Sequence, residues 1–289
     1  MKTVGIISDL KYSKHMQFKN YYYALQSLYG AVRIINKVDD LKGIQILFIG
    51  DDHYTVHRDV FTKDKFASYC NLHKIKVVVF TPEKILNTIF PWNESNNEFL
   101  NNFNHLYHYT YDTDDCKLLG TKLHRLCMSK TYKDVFPVDI ESRLNRIVFI
   151  GSLDCPYDKK NTSYQKRKEL VESIQNTLPL DIFPASNRTW QEYMNIMSHY
   201  RFVLSPLGNG SALVTRFYEA LLLKTIPIQQ VAGDILSYYD IESKFEDCLY
   251  FENSDQIQGL VKSCELQSST SEIWLEDYLA TLLREDGLL

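Results

Sequence analysis

RFVLSPLGNGSALVTRFYEALLLKTIPIQQ, residues 201–230, reads as strand, loop, helix, strand, and holds more constrained chemistry than any other span of the chain. Phe202, Val203 and Leu204 form a short apolar run that Ser205 and Pro206 stop. The loop after them carries Gly208 and Gly210, which let backbone come close to a ligand. Ala220, Leu221, Leu222 and Leu223 are strong helix formers and predict a helix over 214–224, and residues 225–229, Pro227 among them, predict the next strand. Arg216 and Glu219 are three residues apart, so they share one helix face near its start. A helix start presents free backbone N–H groups and partial positive charge, and an arginine there strengthens an anion site. A glutamate one turn further in accepts two hydroxyl hydrogen bonds from a ribose. Together they read as a holder for a nucleoside diphosphate; a surface Arg–Glu pair is the competing reading of the same spacing.

Outward from this span the chain alternates strand and helix signals. In the first half, residues 4–7, 31–35, 45–49, 76–80 and 105–111 predict strands and 17–29 a helix. In the second half, 146–150, 180–183 and 248–251 predict strands, with helices over 164–176, 190–198 and 271–283. Thr189 is the expected cap of the 190–198 helix. Strands apolar along their whole length and separated by helices imply parallel sheets covered on both faces, an α/β fold that binds ligands at the carboxyl ends of its strands. Composition changes over 129–145, which gives domains at 1–135 and 136–270, followed by a C-terminal helix at 271–289 that packs back on the first domain. Ile273, Trp274, Tyr278 and Leu282 give that helix an apolar stripe that must dock.

At 289 residues, 45% hydrophobic and 24% charged, the chain has the make-up of an ordinary soluble protein of two domains. The net charge of −4 argues against a general nucleic-acid or anionic-membrane binder, so no nucleic-acid partner is expected. The first residues, MKTVGIISDLKYSK, lack the apolar core of a secretory signal, and no apolar run nears membrane-spanning length. Six cysteines are scattered without a CxxC pair, which fits reduced thiols and a cytoplasmic setting. Nothing in the sequence sets an oligomeric state.

The segment FVLSPLGNGSALVTRFYEALLLKTIPI resembles the C-terminal motif of exostosin-like glycosyltransferases. There, a strand ending in a Pro-Gly loop is followed by an Arg-x-x-Glu-Ala helix and a strand ending in Ile-Pro. Ser205, Pro206, Gly208, Gly210, Arg216, Glu219, Ala220, Ile226 and Pro227 match in order. The span FIGSLDCPYDKKNTSYQKRKEL is similar to such enzymes too, as a strand, a Gly-Ser turn and a helix with a basic residue. Leu207 departs from the family, which usually has a basic residue there, and the chain lacks the anchor of eukaryotic members.

The resemblance implies a GT-B fold: two facing Rossmann-like domains, the first for the acceptor and the second for a nucleotide sugar, with the active site in the cleft between them. It implies an inverting glycosyltransferase that moves a sugar, preferably from a UDP-sugar, to a hydroxyl of a glycan or glycoconjugate acceptor without metal or other cofactor. Donor-binding residues are then Arg216 on the diphosphate and Glu219 on the ribose, with Ser205, Pro206, Gly208, Asn209, Gly210, Ser211, Thr215, Ser152 and Arg167 around them. The base is expected from the first domain, where Asp52 or Asp51, and next Asp9, follow predicted strands; His53, His57 and Arg58 are the acceptor-binding candidates. An Asp after a strand is equally a turn or cap residue.

His53 with His57 and His105 with His108 have metal-ligand spacing but no third ligand nearby, so they read as solvated or core histidines. Asp112, Asp114 and Asp115 look like an Asp-x-Asp metal motif, but they lie about a hundred residues before the nucleotide signature and read as a helix cap and solvated face. The other readings are a GDP-fucose-type fucosyltransferase, a non-catalytic nucleotide- or carbohydrate-binding protein of the same fold, and a sugar-nucleotide epimerase.

Overall fold

The apolar runs of each half assemble into one parallel sheet per half. The computed structural model describes residues 2–7, 16–50, 63–81, 85–86, 99–136, 139–154, 162–184, 188–208, 212–233, 235–238 and 245–289. They divide into two units, Met1–Thr131 with Trp274–Leu289, and Tyr132–Ile273.

Unit 1 contains β1 (Val4–Ile7), α1 (Met16–Tyr29), β2 (Val32–Ile35), β3 (Ile46–Gly50), α2 (Lys63–Leu72), β4 (Lys76–Thr81), β5 (Leu106–Thr110), α3 (Thr113–Leu119) and β6 (Lys122–Leu123). All pairings are parallel and the strand order is β2-β1-β3-β4-β5-β6. Leu47, Ile49, Val77 and Val79 pack with Phe66, Ala67 and Cys70 of α2. Each Leu, Ile, Val or Phe side chain among them taken fully out of water contributes roughly 1.5–3 kcal/mol before chain entropy is set against it. Asp112 is the N-cap of α3 and accepts from the backbone N–H groups of Asp114 and Asp115. Asp115 is buried and accepts from the N–H groups of Ile85 and Leu86. His108 pairs with the Thr81 hydroxyl at 2.9 Å, and burial lowers its pKa to about 4.

Unit 2 contains β7 (Leu144–Ile150), α4 (Thr162–Gln175), β8 (Leu180–Phe183), α5 (Trp190–Ser198), β9 (Tyr200–Ser205), α6 (Thr215–Leu222), β10 (Ile226–Gln230), α7 (Ile235–Tyr238), β11 (Leu249–Phe251) and α8 (Gln256–Ser263). Its parallel sheet has the order β11-β10-β9-β7-β8. Ile147, Phe149, Phe202, Leu204, Ile226 and Ile228 pack one face against Val171 and Ile174 of α4 and Ile257 of α8. Thr189 caps α5 in a reciprocal capping box with Glu192. The α6 helix stops two residues short of the expected 224, because Lys224 turns to a φ of 55° and hands the chain to β10.

The final helix, α9 (Leu275–Glu285), starts four residues after the expected 271. Ser271 is held elsewhere: its N–H and hydroxyl both donate to Asp247. Trp274 is extended and bridges to Met128 before the helix begins. Helix α9 belongs to unit 1, where it packs on α1 with Leu275, Leu279, Leu282 and Leu283 buried. Buried Glu276 accepts from the Ser129 hydroxyl at 2.5 Å and the Lys130 N–H at 2.9 Å.

Candidate functional site

Strand order decides where unit 2 offers a site. From β7 the chain moves to β8 on one side and then returns to β9 on the other, so the order reverses between β7 and β9. Open parallel sheets place ligands beyond the carboxyl ends of the two strands at such a switch point. There, β7 ends at Ile150, followed by Gly151, and β9 ends at Ser205, followed by Pro206. A cavity of about 230 Å³ lies at this end of unit 2, lined by Arg167, Tyr193, Pro206, Val214, Thr215, Arg216 and Glu219.

Three features make the cavity suited to an anion. Helix α6 begins at its wall, where the N-cap Val214 makes no side-chain hydrogen bond, and a helix start carries the N–H groups and partial positive charge that suit an anion. Arg216 is fixed from behind: its Nε donates to the Ile150 carbonyl at 3.0 Å, and its guanidinium lies over the Phe149 ring at 4.8 Å. A Cβ placed on Gly151 would lie 2.6 Å from Arg216 Nη2 and 2.8 Å from Phe149 Cζ. Glycine at 151 is thus the condition for Arg216 to lie against the end of β7. The third is Arg167 of α4, which donates to the Ser152 carbonyl at 3.2 Å and the Leu207 carbonyl at 3.4 Å and stacks on Tyr164 at 4.5 Å.

Glu219 sits one turn into α6 and is only 6% exposed. Trp190 Nε1 donates to its Oε1 at 2.8 Å. Tyr193 lines the cavity together with Glu219 and Arg216, and acts on the carboxylate from there. Burial raises the Glu219 pKa above its ordinary 4.5, against the downward pull of Trp190, Tyr193 and the Arg216 charge. Burial, and next the Glu219 charge, push the Tyr193 hydroxyl well above its ordinary value, so it remains a donor at neutral pH. The cavity therefore offers both fixed cationic donors and an oriented carboxylate. The donors suit phosphate oxygens and the carboxylate suits hydroxyl groups.

Of the donor-site residues expected from sequence, Arg167, Pro206, Thr215, Arg216 and Glu219 meet at this cavity. Ser205 ends β9 fully buried, with an Oγ that has no partner among the described residues, and does not line the cavity. Ser152 contributes its carbonyl to Arg167, and a Cβ on Gly208 would come within 4.0 Å of Arg167 Nη2. Asn209, Gly210 and Ser211 lie outside the described residues, as do Asp9, Asp51, Asp52, His53, His57 and Arg58. Sequence reading missed Tyr193, Val214 and the Trp190 contact. Trp190 and Tyr193 are spaced i, i+3 on α5, the one signal they carry, and only packing shows that this face meets Glu219.

Among the described residues no group of three or more His, Cys, Asp or Glu is placed to hold a metal ion. None of the helices among them is long and apolar enough to cross a membrane.

No protein-family model matches the chain, and no curated protein matches it. Among solved structures it is similar to an alpha-glucosyltransferase in complex with UDP and a 13-mer DNA containing a central A:G mismatch, with a TM-score of 0.48 and 11% identity over 98% of this chain and 99% of that one. An alpha-glucosyltransferase in complex with UDP and a 13-mer DNA containing a HMU base gives 0.49 and 8% over 92% and 90%. Spinosyn forosaminyltransferase SpnP gives 0.41 and 8% over 99% and 100%. The expectation of no nucleic-acid partner is corrected here: two of these structures hold DNA beside UDP. It rested on net charge, which averages over the whole surface and says nothing of one local face. The two parallel sheets, each with helices interleaved between its strands, are the α/β fold class expected for GT-B.

Proposed function

We propose that the unit 2 cavity holds the nucleoside diphosphate of a sugar donor, UDP-sugar first, and that the chain transfers the sugar to an acceptor hydroxyl with inversion. The observation that carries this reading is the meeting of Arg216, Arg167, an uncapped helix start and the buried Glu219 at one switch-point cavity of about 230 Å³. In this reading Arg216 and the helix start take the diphosphate, and Arg167 reinforces them. Glu219 accepts from the ribose hydroxyls. As the glycosidic bond to the diphosphate breaks, negative charge grows on the leaving oxygen, and fixed cationic donors stabilise that charge without reorganising. The two guanidinium groups and the helix start supply the positive charge, so the reading requires no metal. The acceptor loses its proton to a carboxylate, with Asp52, Asp51 and Asp9 as the candidates. Asp51 and Asp52 follow β3 in sequence, and Asp9 comes two residues after β1 ends; unit 1 reverses its own strand order between these two strands.

The test is nucleotide binding followed by turnover. UDP at a hundred times its Kd raises stability by about 2.7 kcal/mol, a readily measured rise in Tm. Arg216→Ala and Glu219→Ala each weaken UDP binding by at least tenfold, which corresponds to about 1.4 kcal/mol. No Tm shift with millimolar UDP or GDP, or unchanged affinity in both variants, refutes the site. A panel of UDP- and GDP-sugars against glycan acceptors and DNA containing a hydroxymethylated base then identifies donor and acceptor, and single substitutions of Asp9, Asp51 and Asp52 identify the base. Loss of turnover by orders of magnitude at one position is expected; undiminished turnover in all three variants refutes these candidates as the base, and binding without turnover of any donor leaves a binding protein.

A further inference from the structure

We propose that Trp190 is a positioning residue: it holds the Glu219 carboxylate in the orientation that takes two neighbouring ligand hydroxyls, and so makes the unit 2 cavity select ribonucleoside over deoxyribonucleoside diphosphates. The inference rests on reading Glu219 as the group that meets the ribose. A glutamate has three side-chain torsions, and fixing it forfeits about the largest rotamer freedom of any residue. A free carboxylate at the cavity wall would lose that freedom when the ligand bound. Here it is lost on folding, because Oε1 is already committed to the indole N–H at 2.8 Å.

The indole itself is held on two sides and from its own helix. Tyr132 and Phe136, both buried, meet its ring edge-on at 5.1 Å each. The residue before it, Thr189, closes the reciprocal capping box with Glu192, which pins the first turn of α5. Tyr193, one turn further along α5, lines the cavity beside Glu219. With the Trp190 indole donating to Oε1, part of the carboxylate's acceptor capacity is taken, and the rest serves the cavity that Glu219 lines. A site of this kind favours a ligand that donates there and disfavours one that leaves its oxygens unmet.

Calorimetric titration of UDP, 2′,3′-dideoxy-UDP and pyrophosphate into the wild type and variants tests the inference. The wild type should prefer UDP to the dideoxy analogue, which lacks both hydroxyls, by at least about tenfold, the lower end for one hydrogen bond to a charged group. Trp190→Phe keeps an aromatic ring and removes the N–H. It should lower UDP affinity about tenfold, leave pyrophosphate affinity at the wild-type value, and narrow the ratio of UDP to dideoxy-UDP. Replacing Trp190 by benzothienylalanine keeps both fused rings with sulfur in place of N–H; it should give the same pattern and covers the case in which Trp190→Phe does not fold. If either folded variant keeps the wild-type ratio, or weakens all three ligands equally, Trp190 is a packing residue and the inference fails. If instead Glu219→Gln keeps the wild-type ratio, the ribose reading of Glu219 has failed.

Discussion

Adding one methyl group behind Arg216, by Gly151→Ala, should remove anion binding without altering any residue that touches the ligand. The new Cβ would lie 2.6 Å from Arg216 Nη2 and 2.8 Å from Phe149 Cζ. These are about 0.9 and 0.7 Å short of the ~3.5 Å at which non-bonded heavy atoms rest. Phe149 has no room to yield: it is fully buried in the unit 2 core among Ile147, Val171, Ile174 and Phe202. Displacing it means overpacking, which costs about 1–3 kcal/mol. Arg216 is only half-buried, and swinging it aside gives up its bond to the Ile150 carbonyl and its place over the Phe149 ring while water takes up the guanidinium. Moving Arg216 relieves only the first overlap, so the variant carries the overpacking cost at Phe149 together with displacement of the side chain proposed to hold the diphosphate. A stability loss of about 1–3 kcal/mol follows, or roughly 2–12 °C in Tm for a chain of this size, together with at least a tenfold loss of affinity for UDP and pyrophosphate. Calorimetry on Gly151→Ala, Arg216→Ala and the double variant checks the mechanism. Because the methyl group acts through Arg216, the double variant should bind no more weakly than Arg216→Ala alone. Wild-type pyrophosphate affinity in Gly151→Ala, or full additivity in the double variant, would show that the position of Arg216 against β7 is irrelevant to binding.

Two further outcomes follow from the same structure. Burial raises the Glu219 pKa above 4.5, so the folded state holds this proton more tightly than the unfolded chain. The resulting stabilisation is complete below the ordinary value and disappears as pH rises through the folded-state value. The ionised form is therefore the one that burial penalises in the empty protein. Glu219→Gln should raise the apo Tm at pH 7, lose that advantage as pH falls toward 4, and bind UDP less well; a Tm difference independent of pH would count against this assignment. In unit 1, Glu276→Ala leaves the Lys130 N–H without its acceptor and the buried Ser129 hydroxyl with only the Thr131 hydroxyl at 3.2 Å. It should cost about 2–4 kcal/mol and expose α9 to limited proteolysis ahead of the rest of the chain, and protection of α9 equal to wild type would show that its buried leucines alone hold it.

Local pattern set the strands and much of the helices, but contacts between distant residues set their limits. Residues 180–183 and 190–198 were legible in full, the first from the apolar Leu180, Ile182 and Phe183 and the second from the Thr189 capping signal that the structure realises. The strand at Lys122–Leu123 was not, because two residues on a sheet edge carry no period; they are a strand only through pairing with Tyr109 and Thr110. The apolar stripe around Ile273 and Trp274 pointed to a helix from 271, yet Asp247 holds Ser271 and the bridge to Met128 holds Trp274. Helical spacing shows that a stripe must be buried, not that all of it is helical.

The candidate site divides along the same line. Arg216 and Glu219 were visible because their partner surface, the start of α6, lies in the same thirty residues. Arg167 came in through the resemblance, and the cavity brings it to the same place from α4. Trp190 and Tyr193 were not visible, since their importance lies in meeting a carboxylate 29 and 26 residues further on, across a strand and a loop. Gly151 hid more completely: in sequence it is a turn residue after a strand, and only the side chain of Arg216 lying against it shows why a methyl group has no place there. A search for such sites from sequence therefore does better to ask which glycines follow the two central strands of a parallel sheet than to look for more charged residues. At the switch point the missing side chain decides where the charged one lies.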